Sequence, residues 1–164
     1  WELNLPYETL EQFGAKLGAD VPFLVQGGTA FAEGIGEKLK PVTVEFPKAV
    51  LVATPHCAVP TKDAYAGVKP SGNVRWEQFR SAWNGTLSFE FYNKFEESVF
   101  SKYPMIQDLK NKLENLGAFK TLMSGSGASV FALFDSEENA KKALAIIEPT
   151  VRFSRITQFK EKLI

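Results

Sequence analysis

Apolar residues recur at helical spacing over Leu10, Phe13 and Leu17, between Pro6 and Gly18. That stripe predicts a first helix, with Pro6 in its opening turn, where a missing N–H costs nothing, and Gly18 as its stop. A short apolar piece, "GADVPFLVQGG", follows; it holds one acid, Asp20, and is closed by Gly27 and Gly28. "TAFAEGIGEKLKPV" reads as a hairpin turning at Gly34 and Gly36. Ala49 to Pro55, "AVLVATP", is a continuous apolar run of the kind a buried strand carries. Residues 56–73 read as a loop, broken by Pro60, Gly67, Pro70 and Gly72. Trp76, Phe79 and Trp83 return to helical spacing up to Asn84-Gly85, and a further helix carries Phe91, Phe95 and Val99.

Pro104 opens another helix, with Ile106, Leu109, Leu113 and Leu116 on one stripe and Gly117 as its stop. "FKTLM" and "SVFALF" are two strands around a Ser/Gly turn, and Asp135 with Glu138 makes a capping-box start for a helix bearing Ala140, Ala143, Leu144 and Ile147. "VRFSRITQF" alternates and closes as a strand. From Ala49 onward the order is strand, helices, strand, strand, helix, strand. This is an α+β, ferredoxin-like split β-α-β plan with extra helices in its first crossover. Such an architecture hosts many functions and selects none.

Composition narrows the classes. The 164 residues are 45% hydrophobic, enough for a sizeable core, and 19 basic residues balance 19 acidic ones. A balanced surface argues against a nucleic-acid partner, and no apolar run approaches the roughly 20 residues that span a bilayer. The lone Cys57 excludes an intrachain disulfide and a cysteine-rich zinc site, and a reducing cytoplasm is the simplest compartment. His56 is the sole histidine, so no metal triad is built on it. The chain opens on "WELNLP", where Trp1, Leu3 and Leu5 look like the end of an element begun earlier, and a C-terminal part of a longer protein is expected.

Three stretches carry candidate chemistry, each with a plain alternative. "SGSGAS", Ser124 to Ser129, is either a flexible hairpin turn or a loop whose bare backbone N–H groups approach an anion. It lacks the spacing and lysine of a Walker A loop, and Ser126 lacks the flanking glycines of a nucleophile elbow. Asp20 is either a local cap or a carboxylate in a mostly nonpolar neighbourhood, able to accept or orient a hydroxyl proton. In "VPTKDAY", Thr61 offers a hydroxyl and Tyr65 a ring that could stack on a flat base; the alternative is an ordinary surface loop. Trp76, Phe79 and Trp83 are read as core, not as a binding box.

Taken together, "LGADVPFLVQGGTAFAEGIGEKLKPV", "VPTKDAY", "NKFE" and "MSGSGASVFALF" resemble, in this order, the 4-diphosphocytidyl-2-C-methyl-D-erythritol kinase family of the GHMP superfamily. The last stretch alone is similar to the superfamily's third glycine-rich motif. The resemblance implies residues 1–45 as the tail of an N-terminal, ATP-binding GHMP domain and residues 46–164 as the C-terminal GHMP kinase domain. It implies ATP and Mg²⁺ as cofactors and a cytidine-diphosphate-linked methylerythritol as the small-molecule substrate, phosphorylated on its 2-hydroxyl. It further implies a catalytic role for Asp20, substrate contact by Thr61 and Tyr65, and a phosphate-proximal loop at Gly125, Ser126 and Gly127, with no metal ligand assigned. The family's glycine/serine-rich ATP loop is not among these residues; Lys94 stands where the family usually has Asp, and Ser129 where Cys or Thr is common. Two other readings remain at this point. One is a different GHMP kinase, acting on homoserine, mevalonate or a sugar; the other is a non-catalytic ferredoxin-like ligand-binding module.

Overall fold

Prolines and glycines punctuate the chain where the computed structural model begins and ends its elements; the structure describes residues 3–36, 38–41, 49–69 and 93–159. These fall into two compact units, 3–41 in the first and 49–69 with 93–159 in the second. The expected Trp76, Phe79 and Trp83 helix, and Phe91, lie outside the described residues.

In the first unit, helix α1 spans Tyr7–Leu17 and helix α2 spans Val21–Gln26. Pro6 stands just before α1, and its carbonyl accepts the N–H groups of Thr9 and Leu10. The two helices meet closely at Gly14, where an added Cβ would lie 3.0 Å from Val21 Cγ1. Phe13 and Leu17 of the predicted stripe remain exposed on this unit. Strands β1 (Ala30–Glu33) and β2 (Lys38–Pro41) form the expected hairpin, in register from Ala30 opposite Pro41 to Glu33 opposite Lys38.

The second unit is built on a four-stranded antiparallel sheet. Strand β3 spans Ala49–Thr54, β4 Lys120–Met123, β5 Val130–Phe134 and β6 Phe153–Thr157, in the order β4-β5-β3-β6. That order, with β3 central and flanked by β5 and β6, is the ferredoxin-like arrangement expected from the sequence. Leu51 sits opposite Ala132 on one side and Ile156 on the other, so alternate residues of three strands share a face. Onto that core pack Ile106, Leu109 and Leu113 of helix α5 (Pro104–Asn115) and Ala140, Ala143 and Ile147 of helix α6 (Glu137–Ile147). Helix α5 stops as its sequence indicated: the N–H of Ala118 reaches the carbonyl of Leu113 at 3.2 Å, and that of Gly117 reaches Glu114 at 3.0 Å.

Two expectations are corrected. Residues 61–67 are not loop but a helix, α3 (Thr61–Gly67), entered from Pro60. Its register is set by packing on helix α4 (Phe95–Lys102), with Ala64 buried and a Cβ at Gly67 falling 2.5 Å from Ser98 Cβ. The cap of α6 is Ser136, not Asp135: the Ser136 hydroxyl accepts the Asn139 N–H at 3.2 Å. From Ser136, the helix turns Ala140, Ala143 and Ile147 inward.

The Gly67–Ser98 approach gives a test of this packing. Alanine gains at most about 1 kcal/mol over glycine in a helix, less at its last residue. Forcing the two helices apart costs about 1–3 kcal/mol. Gly67→Ala is therefore expected to lower stability in urea unfolding, and Ser98→Gly added to it to restore part of the loss. A stabilised Gly67→Ala would show that α3 lifts freely off α4.

Candidate active site

The six residues Ser124 to Ser129 join β4 to β5 with almost no side-chain volume, so their shape depends on polar contacts. Within the loop, the Ser124 N–H reaches the Ser129 carbonyl at 2.8 Å and the Gly127 N–H reaches the Ser124 carbonyl at 3.0 Å. Gly125 and Gly127 have φ of 54° and 94°, a region that side-chain-bearing residues rarely adopt. A Cβ at Gly127 would also lie 2.9 Å from Met123 Sδ, so that side chain would have to shift.

The start of helix α4 holds this loop from one side. The Asn93 amide donates to the carbonyls of Met123 (2.8 Å) and Gly125 (2.7 Å), while its Oδ1 accepts the Phe95 N–H at 3.0 Å. Glu96 Oε1 accepts the Met123 N–H at 2.7 Å, and Glu96 Oε2 pairs with Lys110 of α5 at 2.7 Å. Behind the loop, the hydroxyls of Ser129 and Thr54 bond at 2.8 Å. Lys94, the departure noted in the sequence, turns to Glu97 at 2.8 Å on an exposed face and takes no part in the clamp.

Helix α3 meets the loop tip. The hydroxyls of Thr61 and Ser126 lie 3.4 Å apart. Tyr65, one turn further along α3, is 65% exposed, and the edge-to-face packing of its ring on Phe95, at 4.9 Å between centroids, fixes it in place. Five of the sequence candidates, Thr61, Tyr65, Gly125, Ser126 and Gly127, thus gather in the second unit. The N–H groups of Gly125 and Ser126 are engaged by no bond among the described residues, which leaves two adjacent donors for an anion.

Asp20 belongs to the first unit. It precedes α2, but its carboxylate makes no capping bond to that helix, so the local-cap alternative is not realised. The nonpolar neighbourhood expected from its flanking residues is not formed within its own unit either; Asp20 is exposed there, with Gly36 close to its Oδ1. Elsewhere, a groove of about 350 Å³ beside Pro55, His56, Met105 and Val151 includes none of the candidates. Next to it, burial pushes the Cys57 thiol up against the opposing pull of Arg152, so that thiol is not set up as a nucleophile.

Residues 77–149 match the family model described as "GHMP kinases C terminal". The second unit has the fold of a GHMP kinase C-terminal domain. Curated proteins named 4-diphosphocytidyl-2-C-methyl-D-erythritol kinase are similar to it along most of its length. The one from Thermodesulfovibrio yellowstonii is 34% identical, covering 90% of this chain and 56% of the relative. The one from Bacteroides fragilis is 39% identical over 87% of this chain and 53% of the relative. A solved 4-(cytidine 5'-diphospho)-2C-methyl-D-erythritol kinase superposes with a TM-score of 0.73 at 27% identity, covering 96% of this chain and 58% of that one. Homoserine kinase from Cytophaga hutchinsonii also reaches 0.73, but at 20% identity, covering 98% of this chain and 60% of that one, and shares only the fold. The chain spans about half the length of the curated relatives it matches. Within the second unit, the residues that sequence reasoning left out of the site are Asn93, Glu96 and Lys110. The first two stand in "NKFE", three apart at a helix start, which puts an amide and a carboxylate on one side of one turn.

Proposed function

We propose that this chain is the C-terminal portion of an ATP-dependent kinase that phosphorylates the 2-hydroxyl of 4-diphosphocytidyl-2-C-methyl-D-erythritol, a step of the non-mevalonate route to isoprenoids, in the cytoplasm. The observation that carries it is the meeting of α3 and the Ser/Gly loop at Thr61 and Ser126, 3.4 Å apart. It sets α3, the helix to which we assign substrate contact, beside backbone N–H groups that no bond engages among the described residues, and the names of the relatives above support the substrate class. Among the described residues no helix is long and apolar enough to cross a membrane.

Phosphoryl transfer asks the protein chiefly for alignment and charge stabilisation. The loop fits that part: the N–H groups of Gly125 and Ser126, engaged by no bond among the described residues, suit phosphate oxygens of ATP. Thr61 holds a polar group of the acceptor, Tyr65 stacks on the cytosine, and Asp20 receives or orients the proton of the attacking hydroxyl. No group of three or more His, Cys, Asp or Glu gathers among the described residues, and Mg²⁺ asks for only one or two carboxylates beside substrate phosphates. Mg²⁺ in our reading arrives on the phosphates of ATP.

The test is a substrate panel with the full-length protein, following ADP release with the cytidyl alcohol, homoserine, mevalonate and galactose. A preference for the cytidyl alcohol of at least 100-fold in kcat/KM is expected; preference for an alcohol lacking cytidine would sink the substrate assignment. Tyr65→Ala is expected to raise KM for the cytidyl alcohol about tenfold or more with kcat little changed, since a base stack contributes roughly 1–3 kcal/mol. An unchanged KM would remove Tyr65 from the site.

A further inference from the structure

We infer that Asn93 is a positioning residue that decides which way the Gly125–Ser126 peptide unit faces, with Glu96, braced by Lys110, fixing the strand end from which the loop departs. The inference rests on the phosphate-facing role proposed for the loop and assigns that role to specific side chains outside it.

The argument is geometric. In a trans peptide unit the C=O and the following N–H point in opposite directions. Asn93 has one NH₂ group with two hydrogens, and both are used, on the carbonyls of Met123 and Gly125. The first bond therefore turns the Ser124 N–H away from Asn93, and that N–H is found on the Ser129 carbonyl at 2.8 Å. By the same rule, the second bond turns the Ser126 N–H away from Asn93. No group among the described residues takes up that N–H, and the Ser126 hydroxyl lies beside Thr61. Glu96 completes the clamp by accepting the Met123 N–H with one oxygen while Lys110 holds the other. A glycine-rich loop has many conformations to lose, and these bonds select one of them before any ligand arrives.

Asn93→Asp isolates this role. The carboxylate still accepts the Phe95 N–H and suits a helix N-terminus, so α4 keeps its start. It cannot donate, and it repels both carbonyls. In the 164-residue chain, amide exchange followed by NMR is expected to quicken at least tenfold at Met123, Ser124 and Gly127. Phe95 and Val99 should stay within threefold. In the full-length kinase, kcat is expected to fall tenfold or more, with KM for the alcohol within threefold. Unchanged exchange in the loop overturns the inference, and so does faster exchange with kcat within twofold of the parent. If the parent kinase proves inactive on the cytidyl alcohol, the substrate assignment fails and the exchange result alone decides the inference. Should Asn93→Asp not fold, Asn93→Ser, which caps the helix but cannot reach both carbonyls, carries the same test.

Discussion

If the full-length protein is the kinase proposed above, Asp20→Asn in it is expected to lower kcat about 10³-fold while KM for the alcohol stays within a few-fold. General-base assistance contributes typically 10²–10⁴-fold, and an amide of the same shape can orient a hydroxyl but cannot take its proton. The size of the loss thus separates the two roles left open for this carboxylate. A fall near 10³ marks proton acceptance, whereas a fall of tenfold or less marks orientation alone. The structure also removes the usual objection that a lost activity reflects a damaged fold. Asp20 is exposed on its unit and makes no capping bond to α2, so its replacement by Asn leaves the local packing of α1 and α2 intact. Circular dichroism and thermal unfolding should match the parent. Normal turnover in Asp20→Asn would remove this residue from the chemistry.

What could be read from the sequence follows a physical line. The sheet strands and helices α5 and α6 were legible because each carries its own burial pattern: Ile106, Leu109 and Leu113 lie on one helical stripe, and Leu51 stands in an unbroken apolar run. Helix α3 was hidden because seven residues with a single buried side chain, Ala64, show no stripe. Its helical state is imposed by packing on α4 at Gly67 and Ser98, partners about 30 residues apart that no local pattern connects. The α6 cap failed by one residue because Asp135 and Ser136 are both good caps, and only the inward turn of Ala140 and Ala143 chooses between them. In the site, glycines and hydroxyls at the loop were legible as an exposed backbone. The clamp was not, since an Asn and a Glu at a helix start ordinarily serve that helix alone, whereas here Asn93 keeps its bond to Phe95 and the two side chains also reach Met123 and Gly125 across the fold.

Lys110→Met is expected to destabilise the second unit by about 2–4 kcal/mol. Removing one member of a buried ion pair leaves the other charge uncompensated, at a cost of about 3–5 kcal/mol when both are fully buried. Here the side chains of Lys110 and Glu96 keep 19% and 14% of their exposure, so water recovers part of that cost. Methionine retains the stem that packs near Phe100 and loses only the charge and its contact with that ring. The loss should appear as a fall in melting temperature of roughly 5–12 °C for a chain of this size. Glu96→Gln added to Lys110→Met should bring stability back to within about 1 kcal/mol of the parent. The Gln carbonyl still accepts the Met123 N–H, and no unpaired charge remains. This recovery separates a charge left stranded from a general loss of packing, which a second substitution would only deepen. A Lys110→Met variant within 0.5 kcal/mol of the parent would mean that solvent already screens the pair, and that Glu96 holds Met123 without help from α5.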